Sequence, residues 1–131
     1  MDIELYTLCE YAANSNGSLT IINTLDTIKA QQFPWRAYFG VAVKARIVSP
    51  LIENTTMSFL IFKEDAPDEI LFSTSSPFGN SVGRFVAAGN IKGLLLHSPG
   101  KYCFRISIGD CIRKDYPFDV VIEKTNSSEI K

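Results

Sequence analysis

A chain of 131 residues, 46% hydrophobic and 21% charged, is long enough to bury about two thirds of its unfolded surface as one domain without a covalent staple. Thirteen basic and fourteen acidic residues leave a net charge of −1, which excludes a global field able to recruit nucleic acid or an anionic membrane surface. The longest apolar stretch, MSFLIF, falls far short of the ~20 residues a membrane-spanning helix needs.

The start, MDIELYTLCEY, carries Asp2 and Glu4 where an export signal would carry Lys or Arg, so a cytoplasmic protein is expected. The odd set Cys9, Cys103 and Cys111 agrees, since free thiols suit a reducing compartment. Asn16, Asn54 and Asn126 begin Asn-X-Ser/Thr triplets and read as turn residues.

Period-two alternation broken by turn clusters predicts an all-β chain, a single antiparallel β-sandwich of about 7–9 strands, immunoglobulin-like in architecture. In chain order, IELYTLCEYA alternates at Ile3, Leu5, Thr7, Cys9 and Tyr11, and NSNG turns it into SLTIINTLDTI as a first hairpin. The alternative there is a helix, because Leu5, Leu8, Cys9 and Ala12 also sit at helical spacing. RAYFGVAVKARIV is the clearest strand, with Phe39, Val41, Val43, Ala45 and Ile47 on one face and Tyr38, Gly40, Ala42, Lys44 and Arg46 on the other. TTMSFLIFK and EILFSTS are expected to pair across the acidic connection KEDAPDE, and SPFGNSVGR to be a loop. FVAAGNIKGLLLHS reads as one interrupted strand or two short ones. KYCFRISI and YPFDVVIE close the fold, so that residues 1–124 form the domain and 125–131 a polar tail.

Ser98-Pro99-Gly100-Lys101 suits a type II corner, Pro presetting the first central φ and Gly accepting a positive second one. Tyr102 then occupies the place of a tyrosine corner, in which a buried ring bonds back to upstream backbone. The last two strands carry the rows Tyr102, Phe104, Ile106, Ile108 and Tyr116, Phe118, Val120, Ile122. Treating Gly109-Asp110-Cys111 as a three-residue loop matches Phe104 with Tyr116 and Tyr102 with Phe118, which the pleat requires. That register leaves Cys103 roughly 20 Å from Cys111 at the usual rise per residue, against the ~7 Å between Cα atoms that a disulfide allows. It also sets the only histidine, His97, away from Cys103, so neither a Cys-His nucleophile pair nor a metal site is expected, and no cofactor. His97 reads as a polar residue at a loop end.

Gly79 and Gly83-Arg84 lack the spacing and the Lys-Ser/Thr of a phosphate loop. The acids Glu64, Asp65, Asp68 and Glu69 lack a calcium-loop spacing.

Taken in order, LCEYA, NGSLTIINTLDTI, Phe33-Pro34 and PGKYCFRISIGD resemble a small bacterial family catalogued as a domain of unknown function. The resemblance spans nearly the whole chain and implies a bacterial, single-domain β-sandwich. It carries over no catalytic residue. Gly109-Asp110-Cys111 departs from the plainer Asp-Gly type of turn.

With no catalytic constellation, the sequence points away from an enzyme and toward a noncatalytic interaction or binding module. Phe33, Trp35 and Arg36 gather aromatics and a cation beside a proline turn, a composition that suits an interface. The alternative is that Trp35 seals one end of the core. Leu60 and Phe62 make the second face of TTMSFLIFK apolar as well, so another segment or a second subunit is expected to cover them. A protein partner or a homodimer is therefore the first expectation. A small-ligand or carbohydrate site at Trp35 and the 73–84 loop is the second, and a small hydrolase or thiol enzyme using His97 the third.

Overall fold

The computed structural model describes residues 2–16, 18–47, 55–79, 83–108 and 112–123. Within them run nine strands and no helix: β1 (Asp2–Ser15), β2 (Ser18–Leu25), β3 (Thr27–Ala30), β4 (Trp35–Ile47), β5 (Thr55–Lys63), β6 (Ala66–Gly79), β7 (Gly83–Leu96), β8 (Gly100–Ile108) and β9 (Ile112–Ile122). They form two sheets, ordered β2-β1-β4-β7 and β3-β9-β8-β5-β6. All neighbours are antiparallel except β3 and β9, which run parallel. The β-sandwich expected from the alternation is the observed architecture.

The core lies between the sheets. Phe39, Val41 and Val43 of β4 meet Ile61 of β5, Tyr102, Phe104 and Ile106 of β8 and Phe118 and Val120 of β9. The face assigned to β4 from its sequence is the buried one. Along β1 the expected row Ile3, Leu5, Thr7, Cys9, Tyr11 is interrupted, because the register against β4 shifts between Ile3 and Leu5. Tyr6 and Leu8 consequently face the core. Cys9 packs on the other side with Ala12 and Ala42 in a second small cluster, over which Leu19 and Ile21 of β2 and Ala88 of β7 close.

The β1–β2 hairpin turns at Asn16, whose φ is 53°, and Ser15 pairs with Ser18. The run SLTIINTLDTI is not one strand. Asp26 separates β2 from β3, and the chain crosses there from the first sheet to the second. The connection from β5 to β6 shrinks to Glu64 and Asp65, since Lys63 pairs with Ala66. Ser76 and Pro77, read from composition as loop, pair with Met57 and Thr56. β7 is continuous: its apparent interruption is Gly93, an extra residue opposite the Ala37–Tyr38 step, held at φ 81° where glycine is favoured.

The last hairpin adopts the expected register, with Tyr102 opposite Phe118, Phe104 opposite Tyr116 and Ile108 opposite Ile112. Its turn residues, Cys111 among them, and the 125–131 tail lie outside the described residues. At the corner before β8, Gly100 takes a φ of 145°. The Tyr102 ring is buried and its hydroxyl donates to the Ser98 carbonyl at 2.6 Å, the bond expected of a tyrosine corner.

Candidate functional site

Opposite Val41, the core-facing row of β7 reads Phe85, Ala87, Gly89, Ile91. A large side chain at position 89 would fill the space between the sheets. Glycine leaves it open, and a Cβ placed there would meet no atom within 4 Å. The result is an apolar cleft of about 170 Å³, walled by Val41 and Val43 of β4, Phe59 of β5, Phe72 of β6, Ala87 and Ile91 of β7 and Phe104 of β8. Its flanking strands β6 and β7 are the end strands of the two sheets, so the cleft lies along one open side of the sandwich. Thr74 of β6, an exposed residue, brings a hydroxyl to its mouth.

Two local features hold these walls. On β6 the register shifts between the partners of Ile61 and Phe62, making Leu71 an extra residue, and Leu71 and Phe72 both pack against the core. On β7, Asn90 follows Gly89 and its side chain turns to the opposite face. There its carboxamide accepts from the Ala12 N–H at 3.0 Å and donates to the Ala12 carbonyl at 2.8 Å. It reaches β1 across Gly40 of β4, where a Cβ would stand 2.8 Å from both the Ala12 nitrogen and the Asn90 Oδ1. Glycine is required at position 40 by this close approach.

None of the residues walling the cleft ionises near neutral pH, so its chemistry is that of burial rather than of acid, base or nucleophile. An enclosed apolar cavity of ~150 Å³ takes a benzene-sized molecule. The cleft is of that scale.

The residues expected at a binding surface do not converge. Phe33 and Trp35 are half-buried and pack against one end of the core, while the exposed Arg36 donates to the Gly93 carbonyl at 3.4 Å. Leu60 and Phe62 lie on the outer face of the second sheet. Phe62 is buried beneath Arg105 of the same chain, whose guanidinium sits 4.7 Å from the ring centre, and Leu60 is half-buried beside it. Arg105 in turn grips Asp115 with bonds of 2.8 and 3.2 Å. That hydrogen bonding holds the Asp115 carboxyl below its ordinary range. Much of the cover expected over the second face of β5 is thus a side chain of the neighbouring strand.

His97 is exposed in the β7–β8 connection, whereas Cys103 is buried on the outer side of β8. Burial pushes the thiols of Cys9 and Cys103 upward, away from the thiolate form that a nucleophile needs. Tyr6, stacked on Tyr116 with ring centres 4.1 Å apart, is held protonated by burial first and by its neighbours Cys103 and Tyr116 next. Its hydroxyl is buried without a hydrogen-bond partner among the described residues. No three His, Cys, Asp or Glu side chains come together as a metal site there. Nor is any helix long and apolar enough to cross a membrane.

Sequence reasoning passed over the cleft. Its one signal was the run Ala87-Ala88-Gly89, where a strand otherwise rich in large apolar residues turns small.

Fold and site together define a small two-sheet β-sandwich with an apolar cleft along one side. The chain belongs to a family of unknown function, DUF6941, whose model matches residues 4–121. No curated protein matches it. Among solved structures it is similar to a β-glucosidase from Erythrobacter marinus, at 12% identity and a TM-score of 0.43, over 89% of this chain. The chain spans 15% of that enzyme's length.

Proposed function

We propose that the chain is a noncatalytic binding module that takes an apolar group into the cleft beside Gly89. The carrying observation is the open glycine position on a core-facing row, walled by Phe59, Phe72 and Phe104. Filling such space recovers contacts that its lining atoms lack, at about 25 cal/mol per Å² of apolar surface removed from water. An apolar group is favoured over a carbohydrate because the Trp35 ring, the aromatic platform a sugar would stack on, is half-buried against the core. The raised thiols of Cys9 and Cys103 and the exposed, separate His97 argue against a thiol enzyme. A bacterial cytoplasm suits two unpaired, buried cysteines.

The test is a thermal-shift and fluorescence titration with indole and with short alkyl alcohols, on the wild type and on Gly89→Leu. Saturable binding to the wild type, lost in a folded Gly89→Leu protein, is expected. Equal binding by both proteins, or none by the wild type, contradicts the proposal.

A further inference from the structure

The four end strands of the sandwich are unequally guarded. β3 has only four residues, and β2 carries a residue of positive φ, Asn23. β6 carries Pro67 and Pro77 and three register shifts. Such features blunt an edge against pairing with another chain. β7 has none of them over Gly83–Lys92: no proline, no acid, and an unbroken register with β4 on its other side. Among the described residues no strand pairs with its outer edge. One of its carbonyls, that of Val86, accepts a side-chain bond from Asn14 at 3.4 Å.

This edge borders the cleft. In a paired ladder, directly opposed residues point to the same face, so a residue added opposite Gly89 would direct its side chain between the sheets. Charge narrows the partner further. β4 and β7 contain Arg36, Lys44, Arg46, Arg84 and Lys92 and not one Asp or Glu. Of these cations, Arg46 is matched within the chain, opposite Asp2 of β1 and 3.9 Å from Glu4. In a second copy, antiparallel pairing of two β7 strands about Ala88 would set Arg84 against Lys92 of the partner subunit, and like charges directly opposed disfavour that register.

We infer that β7 accepts an extended acidic segment of a protein partner by strand addition, with a large apolar residue opposite Gly89 seated in the cleft. The inference rests on the cleft being a binding site. Main-chain bonds along the edge supply affinity, the cleft selects one apolar side chain, and the cations select acidic flanks.

The probe is a synthetic peptide, EETVTFTVEE, titrated by fluorescence anisotropy against the wild-type protein. Three altered peptides accompany it: Lys in place of each Glu, Ala in place of Phe, and N-methylation of alternate residues in either phase. The parent peptide should bind, and the Lys-flanked and Ala peptides should bind more weakly by roughly tenfold or more. One N-methylated phase should lose binding while the other keeps it, because only alternate N–H groups face the edge. On the protein side, Lys44→Glu with Lys92→Glu should reverse the preference toward the Lys-flanked peptide. Indifference to flanking charge or to both N-methylation phases overturns strand addition. So does a homodimer in sedimentation that excludes the peptide. Indole binding with no peptide binding overturns this inference alone, whereas loss of both overturns the apolar cleft with it.

Discussion

Gly40 and Gly89 lie on neighbouring strands and make opposite demands. At Gly40 the missing Cβ lets the Asn90 carboxamide reach Ala12 across β4; at Gly89 it leaves a void. Substituting alanine should separate the two roles. Gly89 does not hold a left-handed φ and has free space before it, so Gly89→Ala should stabilise the fold by about 0.4–1 kcal/mol through the unfolded chain's lost freedom. Gly40→Ala forces a methyl into backbone and should destabilise by about 1–3 kcal/mol. Urea unfolding midpoints of the two variants check both signs at once. Tyr102→Phe, which deprives the Ser98 carbonyl of a donor, should cost about 1 kcal/mol in the same assay. Neither glycine role was legible beforehand, because what a glycine makes room for lies on another strand. Tyr102 was legible, because its corner is local: Pro99 and Gly100 precede it directly.

The β8–β9 hairpin shows why some elements can be read and others not. Its two aromatic rows demand one register, and only a three-residue turn satisfies both. The same register sets Arg105 opposite Asp115, and that pair gives the hairpin a pH dependence. Because the Asp115 carboxyl is depressed by the Arg105 hydrogen bonds, its contribution is complete above the unfolded value of ~4 and fades as pH falls through the lower folded value. Asp115→Asn should therefore remove about 0.2–1 kcal/mol at neutral pH, the scale of a solvent-screened pair. It should also flatten the acid limb of stability below pH ~4. Denaturant midpoints of both proteins across that range check it, and parallel acid limbs would refute it. β7 and the end of β6 were harder to read. A single positive-φ glycine makes a continuous β7 look interrupted. At Ser76–Pro77 an end strand tolerates the residues that elsewhere spell a loop.

At the scale of the whole molecule, the sandwich follows from the alternation, but its useful feature follows from how the sheets overlie. β6 and β7 are the end strands of different sheets and meet along one side. No pattern within either strand announces that meeting, which is why the candidate surface at Trp35 and Phe62 drew attention and the cleft did not. Those two rings are now accounted for largely within the chain, by the core end and by Arg105. What remains unfilled is the space beside Gly89. The most direct measurement is a methyl-resolved NMR titration of the isotopically labelled protein with indole. Shifts concentrated at Val41, Val43, Ala87 and Ile91, saturating together and absent from Gly89→Leu, are predicted. Shifts scattered over the surface, or concentrated on the outer face around Leu60 and Val121, would contradict the account.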